Sequence, residues 1–170
     1  SAFPDPSLIR RNTGYALDAL AQQGRWSHAT NAQHYANLAP LICGSEGTLA
    51  IVTQMTFRLT PLPKARALLV AQFDDVFKAL DSTPRLLDLS PVAVELIDAP
   101  TLNCTKGHAG YERLRSWVVG EPSAVQVVEF FADSAQDLAD TLASAEDAIQ
   151  KMDGVFAVVP LHGAEMSKVW

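Results

Sequence analysis

Cysteine is nearly missing from this chain of 170 residues. Cys43 and Cys104 stand alone, far apart and in no C-x-x-C spacing. That excludes a disulfide framework and a thiolate metal cluster, leaves the pair expected as buried free thiols, and makes any redox work dependent on a cofactor. Histidine is equally sparse. His28 and His34 are six positions apart, matching neither a helical i, i+4 nor a strand i, i+2 pair, so they are expected as solvated loop residues and no metal site is assigned. Basic residues are the minority, 13 Lys and Arg against 19 Asp and Glu, for a formal charge of -6 and a pI near 5.1. Nothing forms a basic stripe, which argues against a nucleic-acid partner. No apolar run reaches the ~20 residues a membrane helix needs, and no charged start with an apolar stretch marks a signal peptide; the expectation is a cytoplasmic chain. The two commonest nucleotide fingerprints, G-x-x-x-x-G-K-[ST] and G-x-G-x-x-G, are also absent.

What is present is periodic. With 48% hydrophobic residues the chain can bury a core of one domain, or of one domain and part of another. Residues 15–22 suit a short helix with Leu17 and Leu20 on one face, and the polar stretch 23–36 reads as a loop. Residues 50–59 alternate, Ile51, Met55, Phe57 and Leu59 on one side, which predicts a half-buried strand ended by Pro61 and Pro63. Beyond the prolines the pattern becomes strand 65–73, a helix capped by Asp74 through Leu87, strand 91–97, an irregular insert 98–120 with one helix, strand 124–132, a helix capped by Asp133 or Ser134 to Met152, and strand 155–161. The order βαββαβ predicts an α+β domain over 64–161, ferredoxin-like, an antiparallel sheet with both helices on one face.

One stretch carries a different signal. Residues 44–53 read G-S-E-G-T-L-A-I-V-T, in which Gly44 and Gly47 permit φ > 0 and leave no Cβ to block a ligand, while Ser45, Glu46 and Thr48 set polar groups beside bare amides. Such a turn either holds a ribose, phosphate or flavin edge or is a plain structural turn. Other candidates for chemistry are Arg10 and Arg11 as cations, Tyr15 as a hydrogen-bond donor, and Glu95 and Glu129, carboxylates in the middle of apolar strands. His162 follows the last strand. Each has a structural reading beside the functional one, and no catalytic residue is assigned.

The 44–53 stretch resembles the G-S-E-G-T-L-G-I-V-T signature that closes the FAD-binding domain of the vanillyl-alcohol oxidase and p-cresol methylhydroxylase superfamily. Upstream, Asn12-Thr13-Gly14-Tyr15-Ala16-Leu17 resembles the N-T-G-Y-x-L of its FAD-linked 2-hydroxyacid dehydrogenases, the D-lactate, glycolate and D-2-hydroxyglutarate branch. Val94-Glu95-Leu96-Ile97-Asp98 and Val128-Glu129-Phe130 look like that family's cap strands, and Ser167-Lys168-Val169-Trp170 like the start of its L-W-x-x-R helix. The resemblance implies FAD as cofactor, a small 2-hydroxy acid as substrate, hydride transfer to the flavin, and flavin contact from Glu46, Gly47, Thr48, Leu49, Ala50, Ile51 and Val52. Ala50 departs from the family's glycine. It further implies that residues 1–60 are a partial FAD-binding-domain segment preceding the cap domain, that 162–170 begin a further helix, and that the remainder of the same polypeptide supplies the pyrophosphate loop and the histidine pair. The rival reading is a free-standing ferredoxin-like module that binds a ligand or dimerises. Self-association through the exposed strand is the further expectation.

Overall fold

The computed structural model describes residues 3–5, 8, 14–22 and 37–169. Arg10, Arg11, His28, His34 and the 23–36 loop lie outside the described residues. The chain divides into two compact units, Ser1–Leu59 and Thr60–Trp170.

In the first unit, α1 (Leu17–Gln22) starts two residues later than the pattern suggested, and α2 (Ala39–Cys43), with Pro40 in its first turn, precedes the glycine-rich stretch. Residues 50–59 do not form a strand. Alternation gives this segment an apolar side, but a strand exists only through the ladder it shares, and among the described residues nothing pairs with it. Ile51 is therefore 92% exposed and Phe57 71%.

The second unit is the ferredoxin-like domain. Strands β1 (Ala65–Phe73), β2 (Ala93–Asp98), β3 (Ala124–Ala132) and β4 (Val155–His162) form one antiparallel sheet in the order β2-β3-β1-β4. Helices α3 (Val76–Leu87) and α6 (Ala135–Gln150) cover one face. β1 is central, and its near-continuous apolar run follows from burial on both sides. Ala67, Leu69, Ala71 and Phe73 pack toward the helices with Leu86, Leu138, Leu142 and Ile149, while Leu68 and Val70 join Leu102, Trp117, Val125, Val127 and Met166 on the other face. Each fully buried large side chain contributes about 1.5–3 kcal/mol. Pro160 sits in the edge strand β4, where a missing N–H is tolerated.

Two glutamines within the apolar runs pin the layers. Gln126 donates from Nε2 to Ala79 O and Thr83 Oγ1 and accepts from Ser82 Oγ, tying β3 to α3. Gln72, on the opposite face, donates to Trp117 O at 2.9 Å and accepts from Val119 N at 2.7 Å. It holds the end of the insert, which contains α4 (Ala99–Asn103), α5 (Ala109–Glu112) and a 3₁₀ turn (Arg113–Arg115) where one helix was expected.

The α3 cap is Asp75, not Asp74: Asp75 Oδ1 accepts from Phe77 N and Lys78 N, whereas Asp74 pairs with Lys78. Ser134 caps α6 by accepting from Asp137 N. Pro84 lies inside α3, which continues past it because Leu86 is fully buried in the core. Both cysteines are free, and both are exposed rather than buried: Cys43 ends α2 and Cys104 follows α4, each at a helix end turned to solvent.

Candidate functional site

The strongest local construction lies in the first unit, where two separate sequence motifs meet. Ser45 O accepts from Thr48 N at 2.9 Å, and Glu46 and Gly47 between them have φ of 49° and 79°. Two successive positive φ values inside an i to i+3 hydrogen bond are the signature of a type I′ turn. Gly47 adopts this conformation freely. Glu46 does not, and a non-glycine residue held there marks a turn whose surroundings over-determine it.

Those surroundings are identifiable. Ser45, 3% exposed, donates from Oγ to Ile42 O at 2.8 Å and so satisfies the end of α2. Thr48 gives its single hydroxyl proton to Ser45 O at 2.6 Å, which leaves Tyr15 as the donor in the 2.7 Å bond between Tyr15 OH and Thr48 Oγ1. Gly44, at φ -90°, uses no left-handed conformation, contrary to the expectation for it. It is glycine for another reason: a Cβ there would run into Gly14 O. Gly14 and Tyr15 thus clamp the turn from one side, by close backbone approach and by a hydrogen bond. Sequence spacing could not show this contact across some thirty positions.

Among the described residues a Cβ on Gly47 would meet nothing within 4 Å, and all seven positions from Glu46 to Val52 are exposed, Leu49 and Val52 each at 47%. A turn bearing a bare glycine, followed by an irregular segment whose amides make no hydrogen bond among the described residues, leaves backbone accessible to the close approach of a ligand. The methyl of Ala50 is exposed too, and so meets any ligand laid along the segment.

In the second unit, Glu95 on β2 and Glu129 on β3 share a face. Residues 125, 127 and 129 alternate onto the side away from α3 and α6, and the pairing of Ala93 with Glu129 and Glu95 with Val127 sets the two carboxylates diagonally on neighbouring strands. Glu129 is half-buried and Glu95 exposed. His162 is exposed at the end of β4. No group of three or more His, Cys, Asp or Glu able to hold a metal occurs among the described residues. No helix there is long and apolar enough to cross a membrane.

Along the chain, a tight turn at Ser45–Thr48 precedes a four-stranded ferredoxin-like sheet. Comparison with known proteins gives the family. The profile of the FAD linked oxidases, C-terminal domain, matches residues 62–170, and the chain belongs to that family. It is 30% identical over 134 residues to a D-2-hydroxyglutarate dehydrogenase of Pantoea ananatis (strain AJ13355), covering 76% of this chain and 12% of the relative. A D-lactate dehydrogenase of Anaerostipes hadrus is 24% identical over 137 residues, 79% of this chain and 29% of its own length. The glycolate oxidase subunit GlcD of Bacillus subtilis (strain 168) is 32% identical over 75 residues, 43% of this chain and 16% of its own. The chain therefore spans about an eighth of the dehydrogenase from Pantoea and under a third of the one from Anaerostipes.

Proposed function

We propose that this chain is part of an FAD-dependent oxidoreductase that oxidises a small 2-hydroxy acid of the D-2-hydroxyglutarate, D-lactate or glycolate type. Residues 1–60 are read as the closing segment of an FAD-binding domain, residues 64–161 as the cap domain that faces the substrate, and residues 162–170 as the start of a further helix. The observation that carries the reading is the clamp of Gly14 and Tyr15 on the Ser45–Thr48 turn, because it joins both family-like motifs into one rigid element upstream of a domain of matched family.

FAD, when bound, supplies the two-electron acceptor for the α-carbon oxidation. This chain's residues do the holding. Gly47 leaves room for the ligand's approach, Glu46 to Val52 offer exposed backbone along it, and the Tyr15–Thr48 bond keeps the turn from collapsing. The base is assigned to the remainder of the polypeptide, and Arg10 and Arg11 stay candidates for a cation near the flavin. The exposed apolar side of residues 50–59 is read as a surface covered by that remainder or, in its absence, by a second copy of the chain.

The test uses the complete polypeptide, purified and assayed with the three acids and an artificial electron acceptor. Flavin-dependent turnover of one of them is expected, and its loss in Gly47→Val. A complete polypeptide that binds no flavin would overturn the reading.

A further inference from the structure

The sheet face turned away from α3 and α6 is not sealed. Between α4, α5 and the C-terminal 3₁₀ turn (Gly163–Lys168) lies a cavity of about 310 Å³, within the size range of small-ligand sites. Its apolar walls include Leu102, Leu114, Trp117 and Val169, and two cations, Arg115 and Lys168, line it as well. Trp117 is fixed by donating from Nε1 to Lys168 O at 3.3 Å.

Arg115 is the unusual member. Its Nη1 donates to Leu102 O and to Thr105 Oγ1, so the guanidinium is held in one orientation by the wall itself. No hydrogen bond of its Nε or Nη2 and no ion pair of the side chain occurs among the described residues. The neighbouring carboxylate Glu121 is taken by Lys106, at 2.7 and 2.8 Å, and that contact, with Arg115 adding a weaker attraction, holds Glu121 below the usual carboxylate range. Lys168 donates to Ser116 Oγ at 3.0 Å and reaches Glu165 only at 3.5 Å.

We propose that this cavity binds a small amphipathic carboxylate, its apolar body between Leu102, Leu114, Trp117 and Val169 and its carboxylate on the free edge of Arg115, with Lys168 as the second cation. A guanidinium fork matches a planar carboxylate in two parallel bonds, and an orientation already fixed removes much of the ordering cost. A phosphate would bring a second charge and a heavier hydration shell into walls that are mostly hydrocarbon. The site lies wholly within the second unit and does not rest on the function proposed above.

The 170-residue chain, titrated with 4-phenylbutanoate and followed by ¹H–¹⁵N NMR and calorimetry, should show saturable binding with shifts confined to residues 97–117 and 166–169. The alcohol 4-phenylbutan-1-ol, the same body without the charge, should bind roughly tenfold or more weaker, and inorganic phosphate should not compete. Arg115→Gln should weaken the acid by roughly tenfold or more and leave the alcohol unchanged. Leu114→Trp, which fills the cavity and leaves Arg115 in place, should abolish both. Equal affinity for acid and alcohol, competition by phosphate, unchanged binding in Arg115→Gln, or no saturable binding would each overturn the proposal. If Arg115→Gln did not fold, undiminished binding to Leu114→Trp would overturn it alone.

Discussion

Glycines 44 and 47 sit three residues apart and are glycine for opposite reasons, one because a neighbour is too close, the other because the backbone turns left-handed into open space. Their substitutions should separate accordingly. Gly44→Ala drives a methyl into Gly14 O and should part the two motifs, raising amide exchange across residues 44–48 several-fold, as should Tyr15→Phe, which removes a bond worth about 1 kcal/mol. Gly47→Val leaves those contacts but strains φ 79° by about 1–2 kcal/mol and fills the space above the turn. In the complete polypeptide it should therefore empty the flavin site. Full flavin content and turnover in that variant would make Glu46 to Val52 a structural turn only. The motifs themselves were legible from residue types; their contact was not, because a hydrogen bond between a tyrosine and a threonine thirty-three positions away leaves no periodicity in the chain.

Helices and strands of the second unit were legible because their apolar spacing is imposed by two-sided burial. The heptad-like recurrence of Leu138, Leu142, Ala145 and Ile149 is what α6 buries, and the solid run of β1 is what a central strand requires. The segment 50–59 shows the opposite case, since its alternation is as clear as that of many strands yet a partner, not a pattern, makes a ladder. Gln72 and Gln126 were hidden for a related reason: a single polar residue in an apolar run does not say whether it is exposed or pinned, and here both are pinned. Cap chemistry gives this scale its predictions. Asp75→Ala removes the acceptor for two amides and should lower the unfolding free energy by about 1 kcal/mol, measured by denaturant titration. Asp98, which caps α4, is held below the usual carboxylate range first by hydrogen bonding to the Thr101 side chain and then to the Thr101 backbone. A depressed folded pKa stabilises above the unfolded value and the gain is lost as pH falls through the folded one, so this contribution should vanish on acidification below about pH 4. Asp98→Asn keeps a capping oxygen and should flatten that part of the stability profile while changing little at neutral pH.

At the scale of the whole molecule the two units are unequal in what they bury. Every residue of the two apolar cores belongs to the second unit, from Ala67 to Met166, whereas the first shows Ser45 as its buried residue among those described and leaves Leu49, Ile51, Met55, Phe57 and Leu59 exposed. A four-stranded sheet with two packed helices meets the requirement for independent stability, whereas the described residues of the first unit offer two short helices and an irregular segment that pairs with nothing among them. Deleting residues 1–60 should therefore leave a soluble domain with a single cooperative unfolding transition and a midpoint close to that of the longer chain. The longer chain should differ in two other observables: cleavage by a protease within residues 50–60, which form no helix or strand and pair with nothing among the described residues, and a mass above monomer by light scattering, because exposed apolar chain with amides unpaired among those residues is a template for pairing between copies. A monomeric, protease-resistant longer chain would mean that the apolar side of 50–59 is already satisfied within it. Loss of cooperative unfolding on deletion would show more, that residues 1–60 contribute to the core of the second unit and that the division at the prolines is not a domain boundary.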